Sequence, residues 1–353
     1  MDNQNLVLGI ETSCDETSIA VISESLEIVY EKTFSQIEIH KLYGGVVPEI
    51  ASRDHLSKMQ ILIEDLKQNV DIKRLKAIAV TSHPGLIGSL LVGIMAAKGL
   101  AFALKIPVIP VNHLEGHFVS PFVTKEIKFP FLMLLVSGGH SQIIIAKSLG
   151  DYQLLGTTID DATGECFDKI ARMLNLPYPG GPQIEKLALN AKRFDNFHFK
   201  PCLIDSQTTS FSFSGLKTQV LYKTEELKKM QDGVLTDEQR AEIAFAAQSA
   251  ITNTLIAKLK LAIKSSEFFK AEIKDLIVCG GVAANQFIKQ EIAKLCLKHN
   301  LQLHTPSLKY ATDNATMIAR LGVEKMKYQK FEFNVEEISS IQPIATNKIF
   351  NKN

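Results

Sequence analysis

Two histidines stand four apart in Asn112-His113-Leu114-Glu115-Gly116-His117. On a helix, that spacing puts both imidazoles on one face, within reach of a single metal ion. Glu115 is third in this motif, not second. The chain therefore lacks the H-E-x-x-H arrangement that supplies a zinc peptidase with its general base. A third ligand has to come from elsewhere, and Asp313, in Ala311-Thr312-Asp313-Asn314-Ala315-Thr316, is the candidate. At the expected start of the last helix, the same aspartate could equally be an N-cap. A His₂Asp set with open positions suits Fe(II) or Zn(II), acting as template and Lewis acid.

A second group of residues has the chemistry to hold an anion. The turns Glu11-Thr12-Ser13-Cys14-Asp15-Glu16-Thr17-Ser18 and Ser137-Gly138-Gly139-His140-Ser141 each join two strand-like runs. Glycines there allow backbone amides to converge on one point. Cys279-Gly280-Gly281-Val282-Ala283-Ala284-Asn285 leads from a strand into a helix start, where free N–H groups and the dipole favour an anion. None of the three is a P-loop or a dinucleotide fingerprint. The acids Glu11, Asp15 and Glu16 suit a cation or a substrate amine better than a bare phosphate. Asp160, Asp161, Glu165 and Asp168 cluster at another helix start; Asp168 lies deeper than a cap requires and could accept hydrogen bonds from a ligand. Pro179-Gly180-Gly181-Pro182 precedes one more helix, with Gly181 either permitting close approach or only making a turn. From Lys192 to Lys223, five basic residues and the acids Asp195 and Asp205 are interleaved with Phe194, Phe197, Phe199, Phe211, Phe213 and Tyr222. Such a stretch fits either stacked RNA bases or a solvated face over a small core.

The elements that must position these residues come in two similar series. Leu6–Ile10, Ile19–Ser23 and Leu26–Thr33 read as strands, followed by a helix over Pro48–Asn69 with proline in its first turn. A strand over Ala77–Thr81, a helix over Leu86–Leu104 and a strand over Pro107–Pro110 complete the series. At Phe131 the pattern restarts: strands at Phe131–Val136, His140–Ala146 and Tyr152–Thr158, then helices at 164–175, 183–190, 216–230 and 237–264. A strand at 276–279, a helix at 283–298, a strand at 301–304 and a helix at 312–327 follow. The echo between LVLGIETSCDETSIAVI and FLMLLVSGGHSQIIIAK predicts an α/β fold of two duplicated βββαβα lobes with a cleft between them, as in the actin, sugar-kinase and Hsp70 group. Lobe I is expected over 1–128 and lobe II over 129–308, with a C-terminal helix at 309–330 returning to lobe I and a loosely ordered tail at 331–353.

The 353 residues carry 39 basic and 38 acidic side chains, which excludes nucleic-acid binding through bulk positive charge but leaves a local patch open. Five cysteines without a C-x-x-C pair argue against a disulfide framework or a cysteine zinc site. The polar N-terminus leaves no room for a signal peptide before the first strand. The apolar run Leu86–Leu104 is broken by Lys98 and reads as a buried core helix, not a membrane span.

Ten motifs in order carry a family resemblance: GIETSCDETS, YGGVVPEIASRDH, PGLIGSLLVG, HLEGH, LLVSGGHSQ, FDKIARML, YPGGP, FSFSGLKT, CGGVAAN and TDNATMIA. Over about residues 6–328 the chain resembles the tRNA threonylcarbamoyladenosine transferases, the TsaD/Gcp family once called O-sialoglycoprotein endopeptidases. The resemblance implies a cytoplasmic acyltransferase. It would move threonylcarbamoyl from threonylcarbamoyl-AMP to the N6 amine of adenosine 37, in the anticodon loop of tRNAs reading ANN codons, and release AMP. By matching motif, His113, His117 and Asp313 would bind one divalent metal, Fe(2+) with Zn(2+) as the other possibility. Leu135, Val136, Ser137, Gly138, Gly139, Asp168, Gly181 and Asn285 would bind the adenylate. Glu185 falls where some members place an aspartate ligand. His140 and Glu11 are the candidates for a catalytic base. A TsaB-like paralogue and a TsaE-like ATPase would be partners, with no membrane involved. The chain departs from the usual pattern at His83, Asn112, Thr163, Cys166, Ala315 and Thr316, none of them a ligand position. Two competing readings remain at this level: a metal-dependent endopeptidase, from the histidine pair, and a nucleotide-binding regulatory module on the same fold.

Overall fold

The computed structural model describes residues 5–203 and 206–346. Asp205 and the polar N-terminal residues 1–4 lie outside them. The chain divides into two compact units, one of residues 1–127 and 307–353, the other of residues 128–306.

Unit 1 begins with the strands β1 (Leu6–Glu11), β2 (Glu16–Ser23) and β3 (Ile28–Ser35). The helices α1 (Ile37–Lys41) and α2 (Pro48–Asn69) precede β4 (Leu75–His83). Then come α3 (Ile87–Leu104), β5 (Val108–Asn112) and α4 (His113–Val119). The strands form one sheet of order β3-β2-β1-β4-β5, antiparallel across β1–β2 and β2–β3 and parallel across β1–β4 and β4–β5. Every residue of β1 and β2 is buried, which is why these strands read as nearly continuous apolar runs.

Unit 2 repeats the plan. Its strands are β6 (Phe131–Val136), β7 (Ser141–Ser148), β8 (Asp151–Thr157), β9 (Asp275–Cys279) and β10 (Gln302–His304), in the order β10-β9-β6-β7-β8. Listed from the other edge, that is the order of the first sheet, with the same pattern of antiparallel and parallel pairs. Its helices are α5 (Thr163–Met173), α6 (Gly180–Ala188), α7 (Ser214–Met230), α8 (Asp237–Ile263), α9 (Ser266–Lys270) and α10 (Gln286–His299). The duplicated α/β plan expected from the sequence echo is therefore present, with each unit closed around its own apolar core.

The chain returns to unit 1 through α11 (Leu308–Ala311), α12 (Ala315–Tyr328) and α13 (Val335–Ser340). Helix α12 lies backbone to backbone on β1. A Cβ on Gly9 would stand 2.3 Å from the Ala315 carbonyl oxygen and 2.5 Å from the Ala319 nitrogen, so only glycine admits the helix at this depth.

Three expectations change. The segment after Lys330 is ordered as far as residue 346: α13 buries Ile338, and Lys98 Nζ donates to the Ser339 carbonyl at 2.8 Å. Residues 347–353 lie outside the described set. Helix α3 is the one described helix long and apolar enough to cross a membrane, yet it is not buried all round. Ser89, Leu90, Gly93, Ile94, Ala97, Lys98 and Ala101 pack inward, while Ile87, Leu91, Met95 and Phe102 are exposed. In the basic–aromatic stretch, Phe199, Phe211 and Phe213 belong to the core, and only Phe194 and Tyr222 are strongly exposed. Lys217 pairs with Asp161 and Lys223 with Glu226. The stretch is mainly a face over a small core.

Candidate metal and substrate sites

Helix α4 carries the histidine pair, and it starts where it does because Asn112 caps it. The Asn112 Oδ1 accepts from Leu114 N at 2.7 Å and Glu115 N at 3.4 Å. The i, i+4 spacing brings the rings together edge to face, with centroids 4.7 Å apart. Glu115 faces away and pairs with Lys325 at 3.0 Å. At α12 the capping role falls to Asn314, whose Oδ1 accepts from Met317 N at 3.0 Å. Asp313, one residue earlier, is released from the cap. Its Oδ1 lies 3.1 Å from His117 Nε2 and 3.4 Å from His113 Nε2. The Ser18 hydroxyl further anchors this turn by accepting from Ala315 N at 2.9 Å. Ala315 is thus held in place by β1 and β2.

Behind His113 lies a carboxylate brace. Glu11, at the end of β1 and wholly buried, accepts from Ser13 N at 2.6 Å and from the Thr81 hydroxyl at 2.6 Å. Its Oε2 is 3.1 Å from His113 Nδ1, and Ser13 Oγ is also 3.1 Å from that nitrogen. A carboxylate on Nδ1 fixes the proton there and turns Nε2 outward as a lone-pair donor. One ligand atom each from His113, His117 and Asp313 lie within 4.8 Å of one another. Burial disfavours an imidazolium at His113, but Asp313 and Glu11 beside it outweigh that and hold its pKa well above the usual value. Burial likewise opposes ionisation of Asp313 and Glu11, yet His113 pulls both carboxyls below their ordinary range. A buried place that draws in positive charge this strongly, with two imidazoles and a carboxylate converging, fits a divalent cation. Sequence reasoning missed Thr81 as part of this brace. Its only mark was a hydroxyl at the end of a strand parallel to β1.

In unit 2 the expected substrate residues form a closed ring at one end of the sheet. The β6–β7 turn carries Ser137, Gly138, Gly139 and His140, held by Ser137 N donating to His140 O at 2.8 Å and His140 N to Ser137 Oγ at 3.1 Å. Gly164 N, in the first turn of α5, donates to the Ser137 carbonyl at 3.1 Å. One turn on, Asp168 Oδ1 accepts from Gly180 N at 2.7 Å, joining α5 to the start of α6. From α6, Glu185 Oε1 accepts from Gln286 N at 2.6 Å, joining it to the start of α10. The strand before α10 closes the ring, since Cys279 of β9 is in register with Leu135 of β6. Asn285 caps α10 through Ile288 N at 2.9 Å, while its amide donates to Gln248 Oε1 at 2.8 Å. Leu135 and Val136 are buried in β6 beneath the turn. Around Gly138 and Gly139 there is open space, with nothing within 4 Å of where a Cβ would sit; at Gly181 the nearest atom is 4.0 Å away. Burial raises the pKa of Asp168 despite the Gly180 amide. The glycine turn and these helix starts suit a phosphate ester through amides other than Gly180 N and Gln286 N, which Asp168 and Glu185 already hold.

The sequence model of the family described as tRNA N6-adenosine threonylcarbamoyltransferase (TsaD) matches residues 27–320. The chain belongs to this family. A curated tRNA N6-adenosine threonylcarbamoyltransferase from Neorickettsia sennetsu is 42% identical over 336 residues, 95% of this chain and 98% of the relative. Another from Caldicellulosiruptor saccharolyticus is 44% identical over 345 residues, 96% and 99% of the two chains. Among solved structures, HypF from T. kodakarensis is similar with a TM-score of 0.57 at 15% identity, covering 92% of this chain and 48% of that one. Component A of the (R)-2-hydroxyglutaryl-CoA dehydratase of Acidaminococcus fermentans gives 0.52 at 13% identity, covering 92% and 99%. These structural likenesses show the actin-like α/β fold. As a tRNA N6-adenosine threonylcarbamoyltransferase, the chain is a transferase with tRNA as its substrate. The family is metal-dependent, and the His/Asp cluster of unit 1 is a possible site for the metal.

Proposed function

We propose that this chain transfers the threonylcarbamoyl group of threonylcarbamoyl-AMP to N6 of adenosine 37 in tRNAs reading ANN codons. The observation that carries this reading is the ring in unit 2, where a glycine turn and three helix starts are tied to one another by Gly164, Asp168 and Glu185. In this reading the adenylate phosphate rests on the Ser137–Gly139 amides and the start of α10. Asp168, Gly181 and Asn285 bind the nucleoside, and Glu185 braces α10. Leu135 and Val136 form the floor.

His113, His117 and Asp313 hold one divalent metal, with Fe(2+) favoured and Zn(2+) the alternative, since two imidazoles and one carboxylate leave positions open. Such an ion would supply a Lewis acid and a template for oxygen ligands. In the transfer, the N6 amine attacks the carbamoyl carbon, the bond from that carbon to the phosphate oxygen breaks, and AMP leaves with the electron pair. With so good a leaving group, the protein's work is mainly orientation and charge stabilisation. The amine must also lose a proton. Glu11 has its oxygens occupied by Ser13, Thr81 and His113 and acts as a brace, so His140, in the substrate turn, is the better base.

The exposed row Ile87, Leu91 and Met95 on α3, with Leu56 on α2, supports a docking face for a TsaB-like paralogue. A TsaE-like ATPase follows from the family resemblance, and a tRNA substrate supports a cytoplasmic setting. The +1 net charge predicts weak tRNA binding by the isolated chain. The test is reconstitution: purified chain, its partners, tRNA, threonine, bicarbonate and ATP, followed by mass spectrometry of nucleosides. Absence of threonylcarbamoyladenosine with competent partners would sink the proposal. The endopeptidase reading shares the histidine pair but does not gain a general base from Glu115, which is tied to Lys325.

A further inference from the structure

The segment between β3 and α2 carries one of the family motifs, yet none of its residues belongs to the sites above. With His55 of α2 and Thr17 of β2, it forms a line of buried polar side chains. Val47 N lies 3.3 Å from His40 Nδ1. His40 Nε2 is 2.9 Å from Gln36 Oε1. Gln36 Nε2 is 3.2 Å from His55 Nδ1, which Thr17 Oγ1 also approaches at 2.8 Å. His55 Nε2 ends the line 3.0 Å from the Cys14 carbonyl. Gln36, His40 and His55 are fully buried.

The two ends fix the direction of every bond independently. A backbone N–H can only donate, so His40 Nδ1 accepts from Val47 and, in a neutral ring, the proton sits on Nε2 and points at Gln36 Oε1. A carbonyl can only accept, so His55 carries its proton on Nε2, and its Nδ1 needs donors. The Gln36 amide satisfies both demands in one orientation, with oxygen toward His40 and nitrogen toward His55. Protonating His55 would set an N–H against that amide nitrogen, and burial lowers the His55 pKa accordingly. The loop at the inner end is the one that braces the histidine ligand. Gln36 N donates to Asp15 O at 3.0 Å, Ser13 Oγ reaches His113 Nδ1, and Ser13 N is held by Glu11.

We infer that His40, Gln36 and His55 form a one-way, uncharged hydrogen-bond relay that positions the Ser13–Asp15 loop, and through it His113. They are positioning residues, since none touches the ligand cluster itself. Their effect on metal binding rests on the metal assignment proposed above.

The experiment uses the full chain with Co(II) as probe. In the wild-type protein, ¹⁵N-edited NMR of the imidazoles at neutral pH is expected to show both His40 and His55 as the Nε2–H tautomer. Gln36→Met, which removes donor and acceptor without a change of bulk, is expected to leave His55 as the Nε2–H tautomer, held by the Cys14 carbonyl and the Thr17 hydroxyl, but to take away the acceptor of the His40 Nε2–H and so shift that imidazole resonance. It should also weaken Co(II) binding by roughly two- to fivefold, below the about tenfold scale of a lost direct contact to a ligand. A charged or Nδ1–H His55 in the wild type would overturn the relay without any variant. So would unchanged Co(II) affinity in a folded Gln36→Met protein. Failure of the wild type to bind Co(II) would instead overturn the metal assignment, which keeps the two failures apart.

Discussion

Glu11→Gln is the sharpest perturbation of the ligand cluster, because it changes charge and donor count but hardly any volume. In the native arrangement Glu11 is an acceptor three times over, from Ser13 N, Thr81 Oγ1 and His113 Nδ1. A glutamine offers one oxygen and one NH₂. With its oxygen toward Ser13 N, the NH₂ faces His113 Nδ1, which must become an acceptor. The proton then moves to Nε2 and occupies the atom that would ligate. With its oxygen toward His113, the NH₂ opposes the Ser13 amide, and a fully buried donor loses its partner. Either orientation costs about 1–3 kcal/mol. At 1.4 kcal/mol per decade, that is roughly a fivefold to hundredfold loss of metal affinity. The assay is competition for Co(II) against a chelator of known affinity, with thermal unfolding of the chelator-treated protein as control. An affinity within twofold of wild type in a folded variant would refute the brace.

Removing a ligand outright should do more. Asp313→Ala is expected to lose bound metal and transfer activity while its melting temperature moves by less than about 4 °C; unchanged metal stoichiometry would end the His₂Asp assignment. In the substrate ring, Gly164→Ala sets a Cβ 2.7 Å from the Ser137 carbonyl oxygen, a backbone atom with little room to yield. It should cost about 1–3 kcal/mol and raise KM for the adenylate, whereas Gly138→Ala, in open space, should match wild type in stability. Equal chemical denaturation midpoints for the two variants would contradict that close approach. Glu16 has its carboxyl pKa pushed up to about 8, chiefly by burial and despite the Ser35 hydroxyl. Folding therefore favours its protonated form, a contribution present at low pH and lost as pH rises from about 4.5 to about 8. Glu16→Gln should flatten that decline in chelator-treated protein, so that it melts above wild type at pH 8; an identical pH profile would refute it.

How much of this was legible in the sequence depended on whether a residue's role left a local pattern. The helix Pro48–Asn69 was read to the residue because proline opens it and apolar positions repeat along it. The strand series and its repeat were legible because fully buried strands are runs of Val, Ile and Leu. The histidine pair was legible because its two members share one short helix. Asp313 was a candidate third ligand that could equally have been an N-cap, and only the resemblance chose between the two, since nothing local says that α12 returns to β1. That return is written in Gly9, which reads alone as an unremarkable glycine in a strand. Helix α3 misled because a helix apolar on every side gives no direction in which to bury itself. Helix α13 was missed because what holds it is distant in sequence: Lys98 reaches Ser339, 241 positions on. The relay through Gln36, His40 and His55 was invisible for a related reason. Buried polar residues satisfied by one another follow no hydrophobic period.

The repeated plan also offers a reason why one chain would carry the two opposite kinds of site proposed above. In both units the first strand ends at a hairpin whose last register pair places a residue opposite a serine: Glu11 with Ser18 in unit 1, Val136 with Ser141 in unit 2. The backbone position is the same, but the side chains divide the chemistry. Unit 1 follows its strand end with Ser13, Cys14 and Asp15, a loop that carries an acid, and the strand-end Glu11 braces a histidine. Unit 2 follows its own with Ser137, Gly138 and Gly139, a loop without charge or Cβ bulk at its tip, set against the start of α5. Neither chemistry required a new fold. A buried carboxylate at the strand end turns the hairpin toward a cation, and an apolar residue followed by glycines turns the same hairpin toward an anion. The presence or absence of one carboxylate at this register position, Glu11 against Val136, thus distinguishes the half proposed to hold a metal from the half proposed to hold the adenylate.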